Sequence, residues 1–145
     1  MSDLDEFRTK TLVRQSQAEE ALVLGDPEPR MNLWSRRDPV TLFSAGGQCK
    51  SGWDEVSQFF RWLARRFSDG SGFSFDLEVV DISGDLAYTV GFERYNMSIA
   101  GGLVEPRLIR VTHVYRRENG EWKIVHRHGD SLSIDQSPPV EASTT

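Results

Sequence analysis

The chain has 145 residues, 38% of them apolar, with 17 lysines and arginines against 22 aspartates and glutamates for a net charge of −5. Such values describe one globular domain able to bury a core. They exclude the overall basic footprint of a nucleic-acid binder, and the lone Cys49 excludes an internal disulfide and a multi-cysteine zinc site.

The first residues, Met1-Ser2-Asp3-Leu4-Asp5-Glu6, are acidic and hold no apolar leader segment. No apolar run approaches the roughly 20 residues that span a bilayer, so a cytoplasmic chain with no membrane partner is expected. Ser2 and Asp5 have the spacing of a capping box. Leu4, Phe7, Thr11, Ala18 and Leu22 then recur at helical spacing up to Gly25. Asp26-Pro27 predicts the start of a short second helix carrying Met31, Leu33 and Trp34, broken at Arg36-Arg37-Asp38-Pro39. Val40 to Ser44 is a short strand. Ser51-Gly52-Trp53-Asp54 caps a third helix, whose stripe Trp53, Val56, Phe60, Leu63 and Phe67 is the strongest in the chain. Asp69-Gly70-Ser71-Gly72 is expected to end it.

From Phe73 the period becomes two: Phe73, Phe75, Leu77 and Val79 alternate with polar residues. After a turn at Ser83-Gly84-Asp85 come three more strands, Leu86 to Ile99, Arg107 to Arg117 and Trp122 to Leu132. Residues 133–145 are rich in Ser, Pro and Thr and read as a disordered tail beyond a single domain of residues 1–132. Helices segregated beside an antiparallel sheet make an α+β fold. The expected form is a cone-shaped barrel, a curved antiparallel sheet wrapped around three N-terminal helices, with one open end.

Three stretches carry a family likeness. They run from Leu33-Trp34-Ser35 to Gly52-Trp53-Asp54-Glu55-Val56, from Gly84-Asp85-Leu86-Ala87-Tyr88 to Gly91-Phe92-Glu93, and from Arg110-Val111-Thr112 to Gly120-Glu121-Trp122-Lys123-Ile124-Val125-His126-Arg127-His128. In these, over about residues 3 to 132, the chain resembles the nuclear transport factor 2-like superfamily, in its SnoaL-like and ketosteroid isomerase-like branch. The resemblance implies a deep pocket between helices and sheet, and usually a homodimer. Where the epoxide-hydrolase branch has Arg-x-Asp, this chain has Arg110-x-Thr112 and lacks the carboxylate.

The candidate site depends on the last hairpin. A two-residue Asn119-Gly120 loop sets Arg117 opposite Trp122 and His113 opposite His126. A three-residue loop sets Arg116 opposite Trp122, Thr112 opposite His126 and Arg110 opposite His128; a one-residue slip exchanges the faces. The three-residue register is favoured, because it gathers Arg110, Thr112, Trp122, His126 and His128 over Val114 and Ile124, a polar cluster on an apolar floor. Trp34 is placed near the pocket mouth. The opposite face, Ile109, Val111, Tyr115 and Val125 beside His113, suits a homodimer.

His126 and His128 stand about 6–7 Å apart along their strand and suit proton transfer or ligand contact. As metal ligands they lack a specified third partner, which Glu93 or Asp130 would have to supply, and neither metal nor cofactor is expected. Glu93 follows the small residues Ala87, Thr89 and Gly91. It is either a general base or the ion-pair partner of Arg110 or Arg116. Tyr88 and Tyr95 fall on opposite strand faces, and Arg61, Arg65 and Arg66 read as a solvated helix face. The expected function is a pocket for a small organic ligand, with catalytic roles for Glu93, His126 and His128 and binding roles for Arg110, Thr112, Trp34 and Trp122 in cofactor-independent isomerase or cyclase chemistry. The alternative is a non-catalytic association module.

Overall fold

The computed structural model describes residues 1–132. The expectation of a disordered tail at 133–145 lies outside the described residues.

The N-terminal helix is a rod in three parts: α1 (Asp3–Glu6), a wider π turn (Phe7–Thr11) and α2 (Leu12–Val23). The capping box forms as the spacing predicts: Asp5 N–H donates to Ser2 Oγ at 3.1 Å and Ser2 N–H to the Asp5 carboxylate at 3.3 Å. Short α3 (Glu28–Leu33) follows the Asp26-Pro27 restart. The long helix α4 (Trp53–Arg66) buries Val56 and Phe60 from its apolar stripe. Its cap comes from a distance rather than from Ser51: the Trp53 N–H donates to Asp38 Oδ1 at 3.0 Å.

Six strands form one sheet in the order β2-β1-β6-β5-β4-β3. They are β1 (Thr41–Phe43), β2 (Cys49–Ser51), β3 (Phe67–Ser83), β4 (Leu86–Ile99), β5 (Glu105–Glu118) and β6 (Glu121–Leu132). The sheet curves around the helices but does not close, since β2 and β3 remain its edges. All neighbours are antiparallel except β1 and β6, which run parallel, with Thr41 beside His126. β2 adds a strand that alternation is too short to reveal. β3 starts directly at the end of α4, so Asp69 to Gly72 lies inside a strand. Bulges at Ser68–Ser74 accommodate that segment, and a Cβ on Gly70 would lie 2.4 Å from the Val23 carbonyl oxygen of α2. The glycine there serves close passage of two backbones rather than a turn.

The core lies between the helices and the inner face of the sheet. Phe7 meets Tyr115 and Trp122 edge-on at 4.9 and 5.5 Å, and Trp34 meets Phe60 at 5.1 Å. Such edge-to-face contacts add to the transfer free energy of burying each ring. Among the described residues, no helix is long and apolar enough to cross a membrane.

Candidate functional site

The hairpin between β5 and β6 combines features of both expected registers. The loop has two residues, Asn119 and Gly120, both at positive φ, and Arg117 stands opposite Trp122. A bulge then leaves Val125 without an opposite residue, so that Val114 pairs with His126, Thr112 with His128 and Arg110 with Asp130. One extra residue reverses the side-chain alternation of a strand. Trp122 and Ile124 therefore point inward, and so do Arg127 and Gly129 beyond the bulge.

Arg110, Thr112, His126 and His128 do share one face, but it is the outer one, away from the helices. The expectation that they converge with Glu93 and Trp122 on a single cavity is corrected by this parity. Arg110 pairs with Asp130 at 2.8 and 2.5 Å. His126 Nδ1 shares a hydrogen bond with Thr41 Oγ1 at 2.7 Å, and Phe43 packs edge-on against both His126 and His128. Burial and the neighbouring His128 hold the His126 imidazolium below its ordinary range. Trp34 and Trp122 are core residues, 1% and 8% exposed. The supposed dimer-side residues Ile109, Val111 and Tyr115 are buried against the helices. Gly91 leaves room that the Phe75 ring fills, its nearest atom 2.8 Å from where a Cβ would stand. Among the described residues, no group of three or more His, Cys, Asp or Glu could hold a metal ion.

The inner face instead carries a buried ionic network. Arg127 donates from both terminal nitrogens to Glu93, each at 2.8 Å, and reaches Glu19 of α2 at 3.3 Å. Arg30 of α3 closes on Glu19 from its other side. Two guanidiniums thus face two carboxylates, and all four side chains are nearly inaccessible to water. Burial alone would raise the Glu19 carboxyl, but Arg30 and Arg127 overcome it and hold it at about 2. Beside them His113 lies 3.3 Å from Arg127 Nη1. Burial, reinforced by the Arg127 charge, pushes His113 well below its ordinary range, so it is neutral. Tyr115 hydrogen-bonds to Gln15.

Above this network is a cavity of about 340 Å³, between the helices and β4, β5 and β6. Its floor is Glu93, Arg127, Glu19 and Arg30, and its walls include Leu22, Leu63, Met97 and Ile109. Tyr95 also lines it. Burial, with the Glu93 charge adding to it, raises the Tyr95 phenol to about 12, so the group is a proton-bearing donor at neutral pH. The half-exposed rim holds Trp62, Arg66 and Arg107. Of the residues expected at the site, only Glu93 reaches this cavity. Arg127, Glu19 and Arg30 were missed, and of the two tyrosines expected on opposite strand faces it is Tyr95 that lines the cavity. The strand period placed Arg127 opposite to its true face because the bulge is invisible in sequence. Glu19 follows Ala18 and precedes Leu22 by three, a spacing that places it at the edge of the buried stripe.

Residues 19–134 match the SnoaL-like domain. The chain is 34% identical over 110 residues to the F-box protein SKIP8 of Arabidopsis thaliana, a match that spans 74% of this chain and 43% of that longer protein. Among solved structures, an NTF2-like family protein from Streptomyces avermitilis superposes with a TM-score of 0.74 at 22% identity, covering 91% of this chain and 99% of the other. A ketosteroid isomerase-like protein from Erwinia carotovora atroseptica gives 0.73 at 15% identity, with 88% and 97% covered. The match along residues 19–134 places the chain in the SnoaL-like domain family, and its α+β cone has the fold of these NTF2-like structures.

Proposed function

We propose that the protein binds a small organic ligand in the cavity above the Glu93–Arg127 pair. The observation that carries this is the cavity itself: about 340 Å³, apolar on its walls, with a few convergent polar groups at its base. That is the anatomy of small-molecule sites, which begin near 300 Å³. Tyr95 is the orienting donor for a ligand carbonyl or hydroxyl. Isomerase or cyclase chemistry with Glu93 as base requires its bidentate pair with Arg127 to open, so binding is the activity the geometry supports best. Native mass spectrometry of freshly purified protein tests it. A co-purified ligand is expected, lost in Leu63→Trp, which fills the cavity. An empty protein that no member of a fragment library stabilises against heat would refute the reading.

A second reading concerns the outer sheet face. Phe43, Val79 and Tyr88 are each just over 40% exposed there. We propose that this face, with His126 and His128, forms a homodimer. Sedimentation should show a dimer at micromolar concentration that Tyr88→Arg dissociates; a wild-type monomer would exclude it.

A further inference from the structure

We infer that the ligand of this cavity is an organic anion, an apolar body bearing one carboxylate that seats between Arg66 and Arg107 at the rim; this rests on the cavity being a ligand site. The cavity is lined by four arginines and two glutamates. Two of the arginines, Arg30 and Arg127, are matched at the floor by Glu19 and Glu93 in direct contact. The floor is therefore neutral as a unit. The remaining charge belongs to Arg66 and Arg107, both half-buried at the opening.

Arg66 lies over the Trp62 ring, 4.5 Å from its centroid, and among the described residues it has no carboxylate within ion-pair distance. The stacking fixes its plane and leaves its edge donors for a ligand. Arg107 is anchored through Nε and Nη2 to the Met97 carbonyl at 3.3 and 3.0 Å. Its acidic neighbour, Glu105, is 3.6 Å away with a side chain 60% exposed, a contact that water and salt weaken. An arginine cannot shed its proton, so a half-desolvated pair of them at a cavity mouth favours an anion.

The approach to the mouth has the same sign. Trp62 and Phe59, which wall the cavity, also wall an adjoining surface groove lined by Lys50, Arg61 and Arg65 against the single acid Glu55. In a chain of net charge −5 this concentration of positive groups around one opening is a local inversion. It would draw anions in and repel cations. The body of the ligand would lie along Leu63, Met97 and Ile109, and its far end would meet the Tyr95 hydroxyl.

Calorimetric titration of the chain with matched probes tests this: 2-naphthoate against 2-naphthamide, and octanoate against octanamide. Each acid should bind about tenfold or more tightly than its amide. That preference should shrink between about 0.01 and 1 M salt, as the screening length falls from about 30 to 3 Å. Arg66→Gln should remove most of the preference, weakening the acids far more than the amides, while Arg66→Lys keeps it. Amides binding as well as acids would overturn the anion assignment and leave the pocket standing. Failure of all four probes to bind would count against the pocket itself. A preference untouched by both salt and Arg66→Gln would remove the rim as its seat.

Discussion

Two bidentate arginine–carboxylate pairs lie on opposite faces of the same three strands. Arg127 holds Glu93 at 2.8 and 2.8 Å; Arg110 holds Asp130 at 2.8 and 2.5 Å. Their bond geometry is nearly the same. Their surroundings are not: the inner side chains are 8% and 2% exposed, the outer ones 52% and 46%. Outside, each ion keeps much of its hydration, and the attraction is screened. Inside, both ions have lost water, and that cost is offset only while every partner stays in place. The inner pair also shares Arg127 with Glu19, and Glu19 with Arg30. The network ties α2 and α3 to β4 and β6, so it acts on helix docking as well as on the pocket floor. Matching distances therefore describe two different things: a structural fastener inside and a hydrated surface contact outside.

The largest test of this contrast is Glu93→Gln. It leaves the Arg127 charge buried with half its counter-charge gone and should cost about 3–5 kcal/mol in urea unfolding. Combining Arg127→Met with Glu93→Met should recover much of that loss, because no lone buried ion remains. A cost for Glu93→Gln below about 1 kcal/mol would show that water reaches the pair.

Acid should act next, through His113. Its folded pKa is depressed, so the unfolded chain binds the extra proton once the pH falls below about 6.5. Stability contributed by neutral His113 is full above that pH. It should decline by up to about 1.4 kcal/mol per unit between pH 6.5 and 5.5, a slope that His113→Gln should flatten. Glu19 is depressed as well, to about 2, so its contribution is complete above about 4.5 and fades as the pH falls toward 2. Chemical denaturation at a series of pH values separates these two windows. The smallest effect belongs to the outer pair. Arg110→Gln should leave the melting temperature within measurement error, and a clear drop would mean that this pair is covered by a partner subunit.

Much of the architecture was legible from the chain. The α4 stripe and the strand alternation from Phe73 are local patterns, and the structure follows them; the last hairpin instead takes the two-residue Asn119-Gly120 loop and not the favoured three-residue one. The capping box at Ser2 and Asp5 is equally local. What local pattern could not show was the bulge at Val125, which turns the second half of β6 over and sends Arg127 inward in place of His126 and His128. Nor could it show Glu19 beneath the sheet, since a glutamate in a polar helix gives no sign that two arginines, 11 and 108 residues further along, will close on it. Arg110, Thr112, His126 and His128, expected to converge on one cavity, lie on the other face of these strands. Glu93 does line the cavity, and its run of small neighbours carries no dependence on the hairpin.

The parallel seam between β1 and β6 also sets an order in time. Thr41 and His126 are bonded neighbours 85 residues apart in the chain, and β6 is the last strand described. During synthesis the helices and β1 leave the ribosome long before the strand that must lie beside them. Until β6 emerges, Glu19 has no Arg127 and β1 has only β2, three residues long, to pair with. The meander of β3, β4 and β5 can assemble from near neighbours, whereas the seam must wait for closure of a long loop. The domain should therefore fold late and all at once, with the seam as its slow step and the nascent N-terminal half in need of protection from other chains.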